Sequence, residues 1–229
     1  SVSHDLRNPA NAVKMLAASI ISDAESLAVA PSVLERVRVI QQAAAQMDTL
    51  IQDLLDVTRI EAGRLRVLPR SVDAEAFLDG ALDAMHPLAD LAGVTLSARC
   101  DDAPAELWAD PERMTQVLSN VVGNALRFTP AGGHVRVQMR RVADGVELTV
   151  RDTGDGIDPE QLPHVFDRFF QASSGARSGG RHGAGLGLPI ARGIVEAHGG
   201  RMMMESTVGE GTTVTTWLPD APSGTTASA

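Results

Sequence analysis

The chain has 229 residues, 44% of them hydrophobic and 21% charged, so it carries enough apolar mass for one or two folded domains at ~150 residues each. A formal charge of −9, 3% aromatics and no Tyr exclude a surface built to neutralise phosphate backbones or to stack single-stranded bases, so no nucleic-acid partner is expected. Cys100 is the only cysteine, which excludes an internal disulfide and a Cys-based zinc site and fits a reducing, cytoplasmic setting. No run approaches the ~20 apolar residues that span a bilayer, so this segment is expected to make no membrane contact.

The chain opens at Ser1 with its first motif within five residues, which reads as a piece of a longer protein; any membrane anchor would lie in segments upstream. From residue 4 to about 62 there is no Gly, and Pro occurs only at Pro9 and Pro31. Leu6, Ala10, Val13, Ala17, Ile20 and Ala24 recur at helical spacing, and Leu34, Val37, Ile40, Ala44, Met47, Ile51, Leu54 and Val57 repeat the pattern. Pro31 is expected to stop the first helix, Ser32 to cap the second, and Gly63 to end it. Two such helices form a hairpin over residues 1–66. One hairpin leaves its apolar stripe open, so pairing two copies into a four-helix bundle is the expected solution; packing on the rest of its own chain is the alternative. His4 lies off this stripe beside Asp5. A neutral imidazole there is either an idle surface residue or a nucleophile oriented by the carboxylate.

From Val72 the periodicity changes. Asp73–Leu91 reads as one helix, Val94–Arg99 and Glu106–Ala109 as strands, and Pro111–Phe128 as a helix capped by Asp110. His134–Val142 and Val146–Arg151 alternate as strands around the turn signal Asp144-Gly145. A helix over Gln161–Phe169, another over Leu188–His198, and strands Arg201–Ser206 and Thr212–Leu218 complete an α/β domain over residues 67–219. Residues 220–229 are small and polar and are expected to be a disordered tail.

Three segments of this domain carry chemistry. Asp152-Thr-Gly-Asp-Gly156 follows a strand; Gly154 and Gly156 allow close backbone approach, and a buried Asp can accept a hydrogen bond from an exocyclic amine, though the same string suits a plain turn. Gly183-Ala-Gly-Leu-Gly-Leu188 leads into a helix, an arrangement that offers N–H groups to phosphate. Ser173–His182 before it is a flexible loop or a lid over a nucleotide. Asn120, Asn124 and Arg127 share one helical face, where amide oxygens suit a hard cation and the guanidinium a phosphate; solvated or capping Asn is the alternative.

Together these segments resemble the homodimeric sensor histidine kinases of bacterial two-component systems, and the resemblance covers essentially the whole chain. Ser3-His-Asp-Leu-Arg-Asn-Pro9 is similar to the phosphoacceptor box, Asn120–Phe128 to the N box, and Asp152–Gly156 and Gly183–Leu188 to the two glycine boxes. Val165-Phe-Asp-Arg-Phe-Phe170 resembles the F box, and Gly209-Glu-Gly-Thr-Thr213 the last glycine motif. The resemblance implies an α+β chain: a dimeric four-helix-bundle hairpin followed by an α/β sandwich ATP-binding domain of Bergerat type with a mixed sheet. It implies His4 as the phosphorylated residue, Asp5 as its base, and Asn8 as the residue that would hold water if the kinase also dephosphorylates its regulator.

The same resemblance implies Mg²⁺ at Asn124, bridging the ATP phosphates, with Asn120 and Arg127 alongside. Asp152 would receive the adenine amine, Gly154 and Gly156 would line that pocket, and Thr212 belongs to the nucleotide site. Gly183, Gly185, Leu186 and Gly187 would lie at the phosphates, while Phe166, Phe169 and Phe170 would pack the lid to the body. The implied partners are a second copy, ATP and a response-regulator receiver domain. Two departures stand out. Arg127 replaces the usual Lys, in a chain whose only Lys is Lys14, and Ala184 replaces a hydroxyl residue. Hydrolytic relatives, the gyrase-type topoisomerases and heat-shock chaperones, place a Glu where this chain has Asn120, and an amide cannot serve as that base. A degenerate ATP-binding scaffold is the non-enzyme alternative.

Overall fold

The computed structural model describes residues 2–23, 30–101, 106–171 and 184–221, with side chains from Asn11 onward. The chain forms two compact units, divided between Glu61 and Ala62.

The first unit consists of α1 (Val2–Ser22) and α2 (Pro31–Glu61), packed against one another. Pro31 is the first residue of α2 and does not serve as a stop for α1. Its fixed φ and missing N–H suit the opening position, where an amide would have no intrahelical partner, so Ser32, expected as the cap, lies inside the helix. The turn between the helices lies outside the described residues. Just beyond α2, Gly63 takes a φ of 60°, the left-handed conformation expected of a terminating glycine. Val37, Ala44 and Val57 on α2 and Ala17 on α1 are buried, as is the carboxylate of Asp56. From the same stripe Ile40, Met47 and Leu54 remain about half exposed, as does Val13 on α1, because one partner helix covers only part of so wide a face; Leu16, outside the stripe, is about two-thirds exposed.

The second unit opens with β1 (Arg70–Asp73), which pairs antiparallel with β3 (Glu106–Ala109), Arg70 opposite Ala109. β1 escapes the sequence reading because Arg-Ser-Val-Asp has one apolar residue and no period. α3 (Ala74–Asp83) and α4 (His86–Ala92) replace the single helix expected over Asp73–Leu91. The Asp73 side chain accepts the Ala76 N–H at 2.8 Å and starts α3. Pro87 lacks an N–H and disfavours helical continuation through the residues before it, so the chain restarts as α4.

A five-stranded sheet follows, in the order β2 (Thr95–Asp101), β4 (His134–Val142), β5 (Gly145–Asp152), β7 (Gly211–Pro219), β6 (Arg201–Thr207). β2 and β4 are parallel and all other pairs antiparallel, so the sheet is mixed as expected. Val135, Val137 and Met139 alternate inward with Arg136 and Arg140 outward, the period-two signature of a half-covered sheet. Against the inward face lie α5 (Pro111–Phe128) and α6 (Gly187–Ala197), with Met114, Leu118, Val122, Ile190 and Ile194 almost fully buried. Asn120 and Asn124 sit mid-helix in α5, each less favourable there by ~0.7 kcal/mol than Ala. Seven buried α5 residues, the large aliphatic ones contributing about 1.5–3 kcal/mol apiece, outweigh that easily.

The helix expected over Gln161–Phe169 shrinks to a single 3₁₀ turn at Leu162–His164. A local turn bond captures the backbone on one side and a tertiary bond on the other. Asp158 Oδ1 accepts the Glu160 N–H, and the Phe169 N–H donates to the carbonyl of Gly185. Phe169 has a φ of 60°, which no right-handed helix contains.

Candidate functional site

His4, Asp5 and Asn8 lie on α1, and their side chains fall outside the described residues, as do Gly183 and the Ser173–His182 segment. The remaining candidates all lie in the second unit, on α5, at the end of β5 and the loop after it, at the start of β7, and at the entry to α6.

Asp152 ends β5 and is buried. Its Oδ1 accepts the Gly154 N–H at 2.8 Å and the Thr212 N–H at 3.1 Å. Both bonds fall on one oxygen, and Oδ2 has no hydrogen-bond partner among the described residues. Burial pushes the carboxyl pKa above its ordinary value, and the two amide bonds pull the other way. Thr212 therefore enters the site through its backbone, as an orienter of Asp152.

The glycines of Asp152–Gly156 are dictated by backbone crowding within the protein. A Cβ on Gly154 would lie 2.6 Å from the Phe128 carbonyl oxygen, and one on Gly156, where φ is 71°, would lie 2.1 Å from the Thr207 carbonyl oxygen. The sequence reading has these glycines lining the adenine pocket. The structure gives them a nearer neighbour, joining the loop after β5 to the end of α5 on one side and to the β6–β7 turn on the other.

Asn120 presents a buried amide nitrogen with no hydrogen-bond partner among the described residues. Such a group loses its full hydration unless an acceptor is brought to it, and a phosphate oxygen would supply one. Its other atom, Oδ1, lies 3.2 Å from where a Cβ on Gly187 would stand, so Gly187 lets α6 begin against Asn120. Asn124 is partly exposed one turn on, an available neutral oxygen of the kind Mg²⁺ accepts. Arg127 is exposed, its guanidinium 4.7 Å from the Phe128 ring centroid, which holds the charge near the end of α5.

Gly185 has a φ of 69°, and a Cβ there would meet the backbone of Phe169 and Phe170. Leu186 is buried among the hydrophobic residues of the core. Phe166 stacks under Arg192, and Phe170 lies beside the His164 ring. Phe169 was expected to pack with them but is 63% exposed, because its left-handed backbone points the side chain away.

Ser206 was missed in the sequence. Its hydroxyl accepts the Ile157 N–H, donates to the Gly211 carbonyl, and lies 2.9 Å from Thr212 Oγ1. It thereby ties the loop after Asp152 to the strand carrying Thr212. The available signal was register. Closing β6 on β7 around Val208-Gly-Glu-Gly211 puts Ser206 opposite Thr212.

Residues 1–63 match the family model described as the His Kinase A (phospho-acceptor) domain, and residues 109–222 match the one described as Histidine kinase-, DNA gyrase B-, and HSP90-like ATPase. The chain belongs to the sensor histidine kinases. Among proteins of this family it is 36% identical over 220 residues to the histidine protein kinase DivJ of Caulobacter vibrioides, covering 96% of this chain and 36% of DivJ. It is 33% identical over 234 residues to the adaptive-response sensory kinase SasA of Synechococcus elongatus, covering 95% of this chain and 57% of SasA. Full-length ShkA, solved in complex with AMPPNP, superposes with a TM-score of 0.79 at 26% identity, over 96% of this chain and 46% of ShkA. The chain thus spans about a third to little more than half the length of these relatives. The second unit is an ATP-binding domain of the kinase family. No helix among the described residues is long and apolar enough to cross a membrane.

Proposed function

We propose that this chain is the kinase core of a two-component sensor, transferring the γ-phosphoryl group of ATP to His4 and from there to an aspartate of a response-regulator receiver domain. In this reading Asp152 Oδ2 accepts from the adenine amine, while Gly154 and Gly156 shape the pocket. Asn120, Arg127 and the backbone N–H groups of Gly183, Gly185, Leu186 and Gly187 hold the phosphates. Mg²⁺ at Asn124 would offset phosphate charge, a role suited to a hard oxygen donor.

His4 Nε2 forms the new N–P bond as the bond from the γ-phosphorus to the bridging oxygen breaks and ADP leaves, and Asp5 takes the Nδ1 proton. The observation that carries the reading is the pairing of a preoriented carboxylate, Asp152, with an orphaned amide donor on Asn120, in an ATP-binding domain preceded by a phosphoacceptor hairpin. Asn120 supplies an amide where hydrolytic relatives need a base, which favours transfer to His4 over transfer to water. Asn8 is proposed to hold the attacking water should the same protein dephosphorylate its regulator.

The test is incubation with γ-labelled ATP and Mg²⁺. Label that is acid-labile and base-stable is expected on the wild type and absent from His4→Gln. Label retained by His4→Gln would place the phosphoacceptor elsewhere.

A further inference from the structure

His198 lies at the end of α6 remote from the glycine segment, and its ring is fixed by two backbone groups. Nδ1 is 2.8 Å from the Ile194 carbonyl oxygen, one turn back on its own helix. Nε2 is 3.0 Å from the backbone nitrogen of Asp110. A carbonyl only accepts and an amide N–H only donates, so the ring is held as the neutral tautomer with its proton on Nδ1.

Asp110 is the N-cap of α5. Its Oδ1 accepts the Arg113 N–H and its Oδ2 accepts the Leu68 N–H, so the residue is already tied to its own helix and to the segment before β1. The helix end around His198 is rigid as well. The Gly199 N–H donates to the Glu196 carbonyl and the Gly200 N–H to the Val195 carbonyl, with Gly199 at a φ of 77°. A Cβ on Gly200 would stand 2.3 Å from the Trp217 carbonyl oxygen, which fastens this turn to β7.

α5 and α6 lie side by side and run in opposite directions. His198 meets Asp110 at one end, and at the other Gly187 meets Asn120. The approach at the nucleotide end is close: a Cβ on Gly187 would stand 3.2 Å from Asn120 Oδ1, so there is room for a glycine but little for anything larger. Sliding α6 along α5 would either press on Asn120 or draw the glycine segment away from it. The bond at the remote end, about ten residues or ~15 Å of helix away, resists that slide.

We propose that His198 is a positioning residue for the nucleotide site: it sets the axial register of α6 on α5 and so the placement of the Gly185–Gly187 N–H groups against Asn120. It touches no ligand itself. This rests on the proposed assignment of the phosphates to those two segments.

Gln and Asn separate the two bonds of the ring. Gln reaches as far as Nε2 and can still accept from Asp110; Asn reaches only as far as Nδ1 and keeps at most the bond within α6. Calorimetric titration with AMPPNP and Mg²⁺ should find His198→Gln within about twofold of wild type and His198→Asn weaker by roughly five- to tenfold, the scale of one lost hydrogen bond. Both titrations are run well below the unfolding midpoint of each variant, so that lost stability alone does not lower the affinity of the folded protein. Wild-type affinity in His198→Asn, or an equal loss in both variants, overturns the proposal. Linkage gives a second measurement that needs no variant. AMPPNP should slow hydrogen exchange at the Asp110 amide of the wild type, and unchanged exchange also overturns it. Asp152→Asn serves as the control for the pocket. If it binds AMPPNP normally, the nucleotide assignment fails; if it alone loses binding, only the role of His198 fails.

Discussion

At Asp152 one oxygen takes both internal bonds and the other has no partner among the described residues, and that division makes the residue testable. An Asn can keep Oδ1 as acceptor for Gly154 and Thr212, which preserves the loop. It must then turn an N–H₂ toward the place where the adenine amine is proposed to donate, setting donor against donor. Asp152→Asn is expected to weaken AMPPNP by about tenfold to a hundredfold, matching ~1.5–3 kcal/mol for a hydrogen bond to a charged group, with the unfolding temperature little changed. Unaltered affinity by calorimetry would place adenine elsewhere. A second carboxylate gives a pH prediction. Asp53 on α2 is half-buried, and burial, followed by the charge of Asp56, pushes its pKa up to about 6. The folded state therefore holds the proton where the unfolded chain has released it. Stability from this source is complete below the ordinary carboxylate range and is lost as pH rises through about 6. Partial exposure and screening reduce the effect to about 1 kcal/mol. Asp53→Asn should raise stability to urea by that amount at about pH 7.5 and leave it unchanged at about pH 4. An equal gain at both pH values would assign the effect to something other than ionisation.

At the level of elements, the loop after β5 is held by two close backbone approaches, and its glycines are correspondingly unequal to others with the same backbone. Gly132 has a φ of 85° and open space around its missing Cβ, so Gly132→Ala should lose only ~1–2 kcal/mol of left-handed strain. Gly156 has a φ of 71° and a carbonyl oxygen 2.1 Å from its missing Cβ, so Gly156→Ala must also part the loop from Thr207. A loss of more than about 3 kcal/mol, or no cooperative urea transition, is expected of it; equal losses in the two variants would show that the loop yields freely. The sequence announced some elements clearly. α5 has Asp110 as cap, Pro111 next and seven buried residues in phase, and all three cues agree. Where cues are local but the decision is not, the reading failed. Gln161–Phe169 has helical periodicity, yet Phe169 bonds to Gly185, sixteen residues ahead and invisible to any short window. β1 has too few apolar residues to announce itself and exists because β3 is there to pair with it.

At the scale of the whole chain, the motif segments identified the family and both kinds of unit, because each is a short string whose composition follows from its own backbone. What joins them was not legible. Ser206 and His198 act through partners 49 and 88 residues distant, so their roles exist only in the fold. The hairpin poses the converse case, in which the structure leaves unfinished something the sequence raised. Ile40, Met47, Leu54 and Leu16 are each 47–66% exposed, spread along both helices, while Val37, Ala44 and Val57 on the same helix as the first three are buried. Scattered exposed Leu needs no explanation, but an apolar face continued along α2 at helical spacing does. A second copy fits best, since the same face on both partners completes a four-helix bundle with closed symmetry. Light scattering at micromolar concentration should therefore report about twice the 24.1 kDa chain mass. Ile40→Glu with Leu54→Glu would place two charges in that interface and should give monomers. Because the second unit is compact by itself and holds every proposed nucleotide contact, the monomeric variant should bind AMPPNP with wild-type affinity. A wild type that is monomeric, or a double variant that remains dimeric, would mean that this face is not where two copies meet.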